Sequence, residues 1–285
     1  MIRLDAATVL LQWATGGLLF LWVTTRRREV GLGYGWLLRG VFGLFAVGAA
    51  AVGSQTGHPS TLRDVASVLV AVAAFGALGV SIARRKAGVA GQLALAEQRS
   101  ARVAAMTGID RAATSADRSR PEFPPALDLV GPVIGAIGLI AAAHADGGPL
   151  PLAIVRTMVG AVFLGAVTDA MLLGHWYLVQ PGLGRAPLLE LVRWLAIAWP
   201  AEVAAFLWPV GMVSVFTGRV NDGWGGTLGW FWAACAVTTI VLAFVTRKAL
   251  DERAYSAVMA ATGLLYLAIL TAFGTDLVAR AVLAP

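Results

Sequence analysis

Charged residues are scarce in this sequence: 13% of its 285 residues are Asp, Glu, Lys or Arg, against 58% that are apolar. A water-soluble domain has about a quarter of its residues charged, because its whole surface faces water. Half that fraction is too little to cover a soluble domain, whereas a surface that faces lipid needs no charge. The composition therefore indicates a membrane protein, and the mean hydropathy of +0.76 agrees with this class.

Metal-ligating residues are also few. The single cysteine, Cys235, lies in an apolar run, which excludes a disulfide or a cysteine-ligated metal centre within one chain. Of the three histidines, His58 and His144 are predicted at the outer surface, far from His175, so a haem held between two histidines is disfavoured. Phosphate-binding glycine loops and the GxSxG and HExxH motifs are missing. We therefore expect no metal and no intrinsic cofactor, and no motif assigns an enzymatic reaction.

Long apolar runs dominate the chain. A membrane-spanning helix needs about 20 mostly apolar residues, and eight windows meet this need: residues 6–25, 36–54, 63–83, 126–144, 152–178, 191–216, 225–246 and 255–278. They predict an all-α integral membrane protein, a polytopic bundle of about eight transmembrane helices. In this division, residues 1–83 hold three spans, residues 84–125 form a cytoplasmic segment and residues 126–285 hold five spans.

The basic residues are distributed unevenly between the two sets of loops. Of the 22 Lys and Arg residues, 17 fall on one side and 5 on the other, and the richer side is predicted to be cytoplasmic. An even number of spans then places both termini outside, in the cell (plasma or inner) membrane. Because the net charge of +6 arises from these loops, we expect no nucleic-acid partner. The expected partners are membrane lipids, with other subunits of a membrane complex as further candidates.

The one long loop, residues 84–125, is basic and divides into two parts. Its first part carries apolar residues at helical spacing: Leu93, Ala96, Val103 and Met106. This pattern predicts an amphipathic helix on the inner leaflet. The second part is polar and ends in prolines, which indicates a linker. A docking surface for a soluble partner is the alternative to a plain tether between spans three and four.

Two carboxyl groups, Asp169 and Glu202, fall inside predicted spans five and six, where ionisable residues are functional candidates by default. The short link between these spans predicts a helical hairpin with both groups at a similar depth, about 14–17 Å from the inner boundary. Small residues, Gly165 and Ala161, share the Asp169 face and predict a close helix contact there. A facing pair could relay protons, bind a cation or accept hydrogen bonds from a ligand. The alternative is a protonated carboxyl that satisfies backbone freed by a kink.

Two Trp-Pro pairs in span six predict two kinks, at Pro200 and Pro209. Proline lacks the N–H that continues the helical hydrogen bonds, so the carbonyl four residues earlier is left without a partner. Bent helices often line binding cavities in membrane proteins.

A second group of candidates lies near the inner boundary, around His175. Thr168 and Met171 precede His175 by seven and four residues on one helix face, and Trp176 follows it. Arg193 is expected at a similar level across the hairpin, where it could hold an anion or extend to the lipid head groups. The imidazole could bind a quinone head group, cap a helix end or bind a lipid phosphate.

Three functions are consistent with these residues. The first is a redox-associated subunit that binds a quinone or a similar apolar ligand at His175 and receives electrons from a partner. At the level of the fold, eight spans without bound metal are similar to quinone-reactive membrane anchor subunits. The second is a proton- or cation-coupled transporter of small solutes that uses Asp169 and Glu202. The third is a structural or assembly factor of a membrane complex.

Overall fold

The computed structural model describes residues 4–55, 60–107, 120–145, 148–180, 182–252 and 254–284, without the side chains of residues 99 and 102–104. Within these ranges the chain forms helices and turns and no strand. The α-helices are α1 Ala6–Thr25, α2 Leu32–Gly53, α3 Thr61–Ala83, α4 Ala90–Thr107, α5 Val130–Ala145, α6 Leu150–Val179, α7 Ala186–Leu207, α8 Val213–Phe216, α9 Thr227–Asp251 and α10 Tyr255–Leu283. Arg85–Ala87 and Pro125–Leu129 are short 3₁₀ segments. His58 and most of the predicted linker lie outside the described residues.

All the long helices except α4 correspond to the predicted spans, so the all-α polytopic bundle of about eight helices is confirmed. Seven of the described helices are long and apolar enough to cross a bilayer. The eighth, α7, has 22 residues but carries Glu190, Arg193 and Glu202 within its length. Its charge, rather than its length, sets it apart from the others.

The centre of the bundle is the contact between α1 and α6. Helix α1 packs on α2, α5 and α6, and α6 also packs on α7 and α10. The two central helices meet backbone to backbone, because a Cβ atom built on Gly16 would lie 1.8 Å from the carbonyl oxygen of Ala161. Gly165 lies in the same contact, because a Cβ atom built on Gly165 would lie 2.3 Å from the backbone carbonyl carbon of Gly16. The small-residue face predicted on α6 is therefore confirmed as a close helix contact.

Buried ion pairs fix the loops at both ends of the bundle, which are named outer and inner after the predicted sidedness. At the outer end, where α1 begins, Arg63 donates to Asp5 at 2.6 Å. At the inner end, Arg39 lies within α2 rather than in a loop and donates to both oxygens of Asp128, at 2.7 and 2.8 Å. Its guanidinium also lies 4.2 Å from the ring centre of Phe123. These contacts attach the end of the long loop to the bundle.

The sixth predicted span, residues 191–216, differs from the helix that forms. Helix α7 begins at Ala186, continues through Pro200 and ends at Leu207. Pro209 therefore lies beyond the helix and does not kink it, contrary to our expectation. Proline at this position cannot donate to the carbonyl of Ala205, and Arg156 Nε donates to that carbonyl instead, at 3.0 Å. The chain then turns into the short helix α8.

The predicted helix in the long loop forms as α4. Its first turn is attached to the bundle, since Gly91 N donates to the carbonyl oxygen of Arg28 at 3.0 Å. At the other end Met106 is 71% exposed, which leaves an apolar side chain without cover from the described chain. Attachment to the inner leaflet stays a prediction for this helix.

Candidate functional site

An ion pair on α10 forms the base of a buried polar cluster near the outer end. Asp276 and Arg280 are one helical turn apart, and Arg280 Nε lies 2.9 Å from both Asp276 oxygens. Asp276 is fully buried, and its Oδ1 also accepts from Gln12 Nε2 of α1 at 3.2 Å. Arg280 Nη2 donates to the carbonyl oxygen of Arg156 on α6 at 2.7 Å. The pair thus ties α10 to both central helices.

Glu202 of α7 is fully buried beside this ion pair. Its carboxyl group lies within hydrogen-bonding reach of the Asp276 carboxyl group and interacts with Arg280, but no N–H group or hydroxyl of a described residue donates to either of its oxygens. Arg280 already donates to both oxygens of Asp276, so this single guanidinium would have to serve two carboxylates. An uncompensated charge at a buried position costs several kcal/mol. The cluster is therefore best balanced when the two carboxyl groups share one proton.

A second arginine, Arg156 of α6, closes the cluster on its outer side. Its guanidinium donates to the carbonyl oxygens of Ala205 and Trp208 at 3.0 Å each, and not to Glu202. Gly160, one turn further along α6, leaves the room that the cluster occupies. A Cβ atom on Gly160 would lie 2.5 Å from Asp276 Oδ1.

Asp169, on the central helix α6, is a further buried carboxyl group. It is fully buried on α6, and neither of its side-chain oxygens has a hydrogen-bond partner among the described residues. Tyr34 of α2 donates to its backbone carbonyl at 3.4 Å rather than to its side chain. A buried polar group without partners is costly in a packed interior. This cost marks Asp169 as a functional candidate, separate from the cluster of Glu202, Asp276 and Arg280.

The structure does not bring Asp169 and Glu202 together. Glu202 lies sixteen residues beyond Ala186, about 24 Å along α7, whereas Asp169 lies ten residues before Val179, about 15 Å along α6. The two carboxyl groups were expected at one depth because α7 was predicted to begin at residue 191. Asp276, which interacts with Glu202, lies level with Gly160, and Gly160 is about 13 Å along α6 from Asp169.

His175 lies on the outside of the bundle near the inner end. Its side chain is exposed, and its Nδ1 lies 3.3 Å from the hydroxyl oxygen of Tyr266 on α10, which is 44% exposed. Thr168, two turns along α6, is instead buried, where Trp13 Nε1 donates to its hydroxyl at 2.9 Å. Trp13 of α1 packs against Phe273 of α10, with ring centres 4.4 Å apart. Helices α1 and α10 therefore shield Thr168 from the surroundings, whereas His175 is exposed.

The remaining members of the predicted ligand set are also dispersed. Met171 is half-buried against the core. Trp176 packs against Tyr34, with ring centres 5.9 Å apart, and donates to Gln180 at 3.0 Å. Arg193 is exposed on α7. The predicted set around His175 therefore does not form one pocket in the described part of the chain.

The sequence reasoning missed Asp276 and Arg280, which supply the partners of Glu202. The predicted last span, residues 255–278, placed them at its outer boundary, where charges are ordinary. Their spacing of four residues on a helix was the available signal, because it places opposite charges on one face. Gln12 carried no comparable signal, since its role depends on a contact across 264 residues.

The described residues contain no group of three His, Cys, Asp or Glu side chains that could hold a metal ion. Comparisons with protein-family models, with curated proteins and with solved structures find no match to this chain. The buried carboxyl groups are therefore the features of this protein that bear on its function.

Proposed function

We propose that this protein is a proton-coupled membrane transporter for a small solute or cation, and that Glu202 takes up and releases the coupling proton. The observation that carries the proposal is the fully buried Glu202 carboxyl group beside the Asp276–Arg280 ion pair, where no N–H group or hydroxyl of a described residue donates to it. Buried carboxyl groups of this kind recur in the proton pathways of pumps and transporters.

The contacts of the cluster give a physical route from protonation to conformation. With Glu202 protonated, Arg280 is held by Asp276 and by the carbonyl oxygen of Arg156. Loss of the proton creates a second carboxylate that competes for Arg280. Since the bonds of Arg280 and Asp276 join α10 to α6 and to α1, this competition changes the relative stability of their packing. A ligand that binds one packing better than the other is then coupled to the proton.

The position of the cluster suggests the direction from which the proton arrives. Arg156 Nη2 donates to the carbonyl oxygen of Trp208, whose side chain is 69% exposed at the outer end. Asp169, about 13 Å further toward the inner end, is the next carboxyl group on the proposed proton route. The excess of 17 over 5 basic residues supports an orientation with the cluster facing outward.

Infrared difference spectroscopy during a pH titration tests the proton-binding step in the purified protein. A protonated buried carboxyl gives a carbonyl band, which we expect Glu202→Gln to remove. Asp251→Asn is the matched control, because the Asp251 side chain is 61% exposed near the end of α9. The proposal fails if wild type and Glu202→Gln give the same carboxyl bands.

Transport is tested in liposomes that contain a pH-sensitive dye, with an imposed proton gradient and a panel of small solutes and cations. We expect solute-dependent proton movement that Glu202→Gln abolishes and Asp251→Asn preserves. If the double variant Asp169→Asn, Glu202→Gln retains every property of the wild type, a structural or assembly role is favoured instead.

A quinone-binding subunit is the second candidate, favoured by the exposed His175 beside Tyr266. A quinone arriving from the lipid could reach this pair without entering the bundle. Electrons would have to come from a partner subunit, because the part of the chain that the structure describes offers no group of ligands for a metal centre. Lipid extracts of the gently purified protein should then contain a quinone that His175→Ala reduces, and extracts free of quinone would remove this candidate.

A further inference from the structure

A basic surface lies at the inner end, where α1 meets α7. We call it the α1–α7 seam, formed by Arg26, Arg27, Glu190, Arg193 and Trp194. Glu190 accepts from Arg26 Nη2 and from Arg27 Nε, each at 2.5 Å. Both arginine side chains remain open to the surroundings, with exposures of 41% and 37%. One carboxylate thus serves two arginines that still have unused N–H donors.

Arg193 adds a third cation to the seam. It follows Glu190 by three residues on α7, which places the two side chains on neighbouring positions of one face. Arg193 is exposed and forms no hydrogen bond or ion pair with a described residue. Three guanidinium groups and one carboxylate leave the seam with a net charge of +2, which is the complement of a doubly charged anion or of two phosphate groups.

Apolar side chains continue from the seam along α7 toward the middle of the bundle. Trp194 is 39% exposed and packs against Phe20 of α1, with ring centres 5.9 Å apart. Ile197, one turn further on, is 52% exposed. At the charged end, the Arg26 guanidinium lies 4.9 Å from the ring centre of Trp22. The seam therefore has a cationic end and an apolar wall. The inner half of a bilayer has the same order, with charged head groups at its surface and acyl chains toward the middle.

We propose that the α1–α7 seam binds an anionic phospholipid, with its phosphate on Arg193, Arg26 and Arg27 and an acyl chain along Trp194 and Ile197. Arginine forms paired, charge-assisted hydrogen bonds with phosphate, and basic pockets between helices on the cytoplasmic side bind anionic head groups. Free phosphate offers the same charge, but it would leave the apolar wall unused. The lipid satisfies both parts of the seam.

The bound lipid would hold α1 against α7 at the inner end. In the protein alone, the two helices touch there through the Glu190 ion pairs and the contact between Phe20 and Trp194. A phosphate that bridges Arg193 and Arg26 adds a further link between the helices. This role is independent of the proton-binding cluster, which lies at the other end of the bundle.

Thermal unfolding in an uncharged detergent tests the proposal, with phosphatidylglycerol, phosphatidylcholine or inorganic phosphate added in separate titrations. We expect phosphatidylglycerol to raise the Tm of the wild-type protein and phosphatidylcholine to leave it unchanged. Arg193→Gln should weaken the phosphatidylglycerol affinity about fivefold, the effect of one arginine near a membrane surface. Arg219→Gln is the control of equal charge, because Arg219 is exposed in the outer loop before α9.

Three outcomes would overturn the proposal. Equal protection by phosphatidylcholine would show that the head-group charge is not recognised. Equal loss of affinity in Arg193→Gln and Arg219→Gln would show that net charge, and not the seam, attracts the lipid. Protection by inorganic phosphate as strong as that by phosphatidylglycerol would assign the site to a free anion. Native mass spectrometry of the same samples counts the bound lipids directly.

Discussion

The unequal roles of Asp276 and Glu202 lead to a prediction about stability. Asp276→Asn removes the carboxylate that accepts two 2.9 Å bonds from Arg280, whose side chain is only 13% exposed. Removing one partner of a buried ion pair costs about 3–5 kcal/mol. Because the amide keeps one oxygen that can accept from Arg280, we expect about 3 kcal/mol, at the lower end of that range. Glu202→Gln removes no bond from an N–H group or hydroxyl, and its amide can donate to Asp276 as the protonated carboxyl does, so it should cost less than about 1 kcal/mol.

Tryptophan fluorescence follows the unfolding of the purified protein, since the chain has 10 tryptophans. At roughly 2–4 °C for each kcal/mol, Asp276→Asn should lower the Tm by about 6–12 °C, and Glu202→Gln should lower it by about 4 °C or less. The double variant should fall further than the sum of the single changes. In Asp276→Asn the remaining Glu202 can ionise and pair with Arg280, whereas the double variant replaces both of these carboxyl groups.

The reasoning is refuted if Glu202→Gln lowers the Tm as much as Asp276→Asn does. That result would mean that Glu202 is the ionised partner of Arg280. It is also refuted if the two single changes are additive, because the two carboxyl groups would then not share one proton and one arginine.

Two further predictions concern packing and pH. Gly16→Ala should destabilise the bundle by about 3 kcal/mol, because its Cβ atom would lie 1.8 Å from the carbonyl oxygen of Ala161. A Cβ atom on Gly76 would meet nothing within 4 Å, so Gly76→Ala should be neutral or stabilising. Thermal unfolding of both variants checks this prediction. In the loop before α9, hydrogen bonds from backbone N–H groups, the largest effect coming from Gly226, hold the pKa of Asp222 below its ordinary value. Its carboxylate therefore stabilises the fold above about pH 4, and this contribution is lost as the pH falls through the lowered pKa. The Tm difference between wild type and Asp222→Asn should shrink in acid, and a difference independent of pH would contradict it.

The sequence alone predicted the elements that depend on local composition. Apart from the sixth, the predicted spans match the observed helices, because the bilayer thickness sets the length of apolar run that each helix needs. The helix α4 followed from the spacing of its apolar residues, and the contact at Gly165 followed from small residues on one face of α6. These signals are contained within single helices. They do not depend on which helix packs against which.

Only the tertiary structure decided how the buried carboxyl groups are arranged. Asp169 and Glu202 are on adjacent helices, yet Glu202 meets Asp276 on the last helix of the chain. Five additional residues at the start of α7 moved Glu202 away from the depth of Asp169, and no local pattern fixes that start. The order in which eight helices of similar hydropathy pack depends on steric fit, such as that between Gly16 and Ala161, and on polar contacts between distant residues. Both are properties of the assembled bundle, because helices in a membrane associate through close packing and interhelical hydrogen bonds.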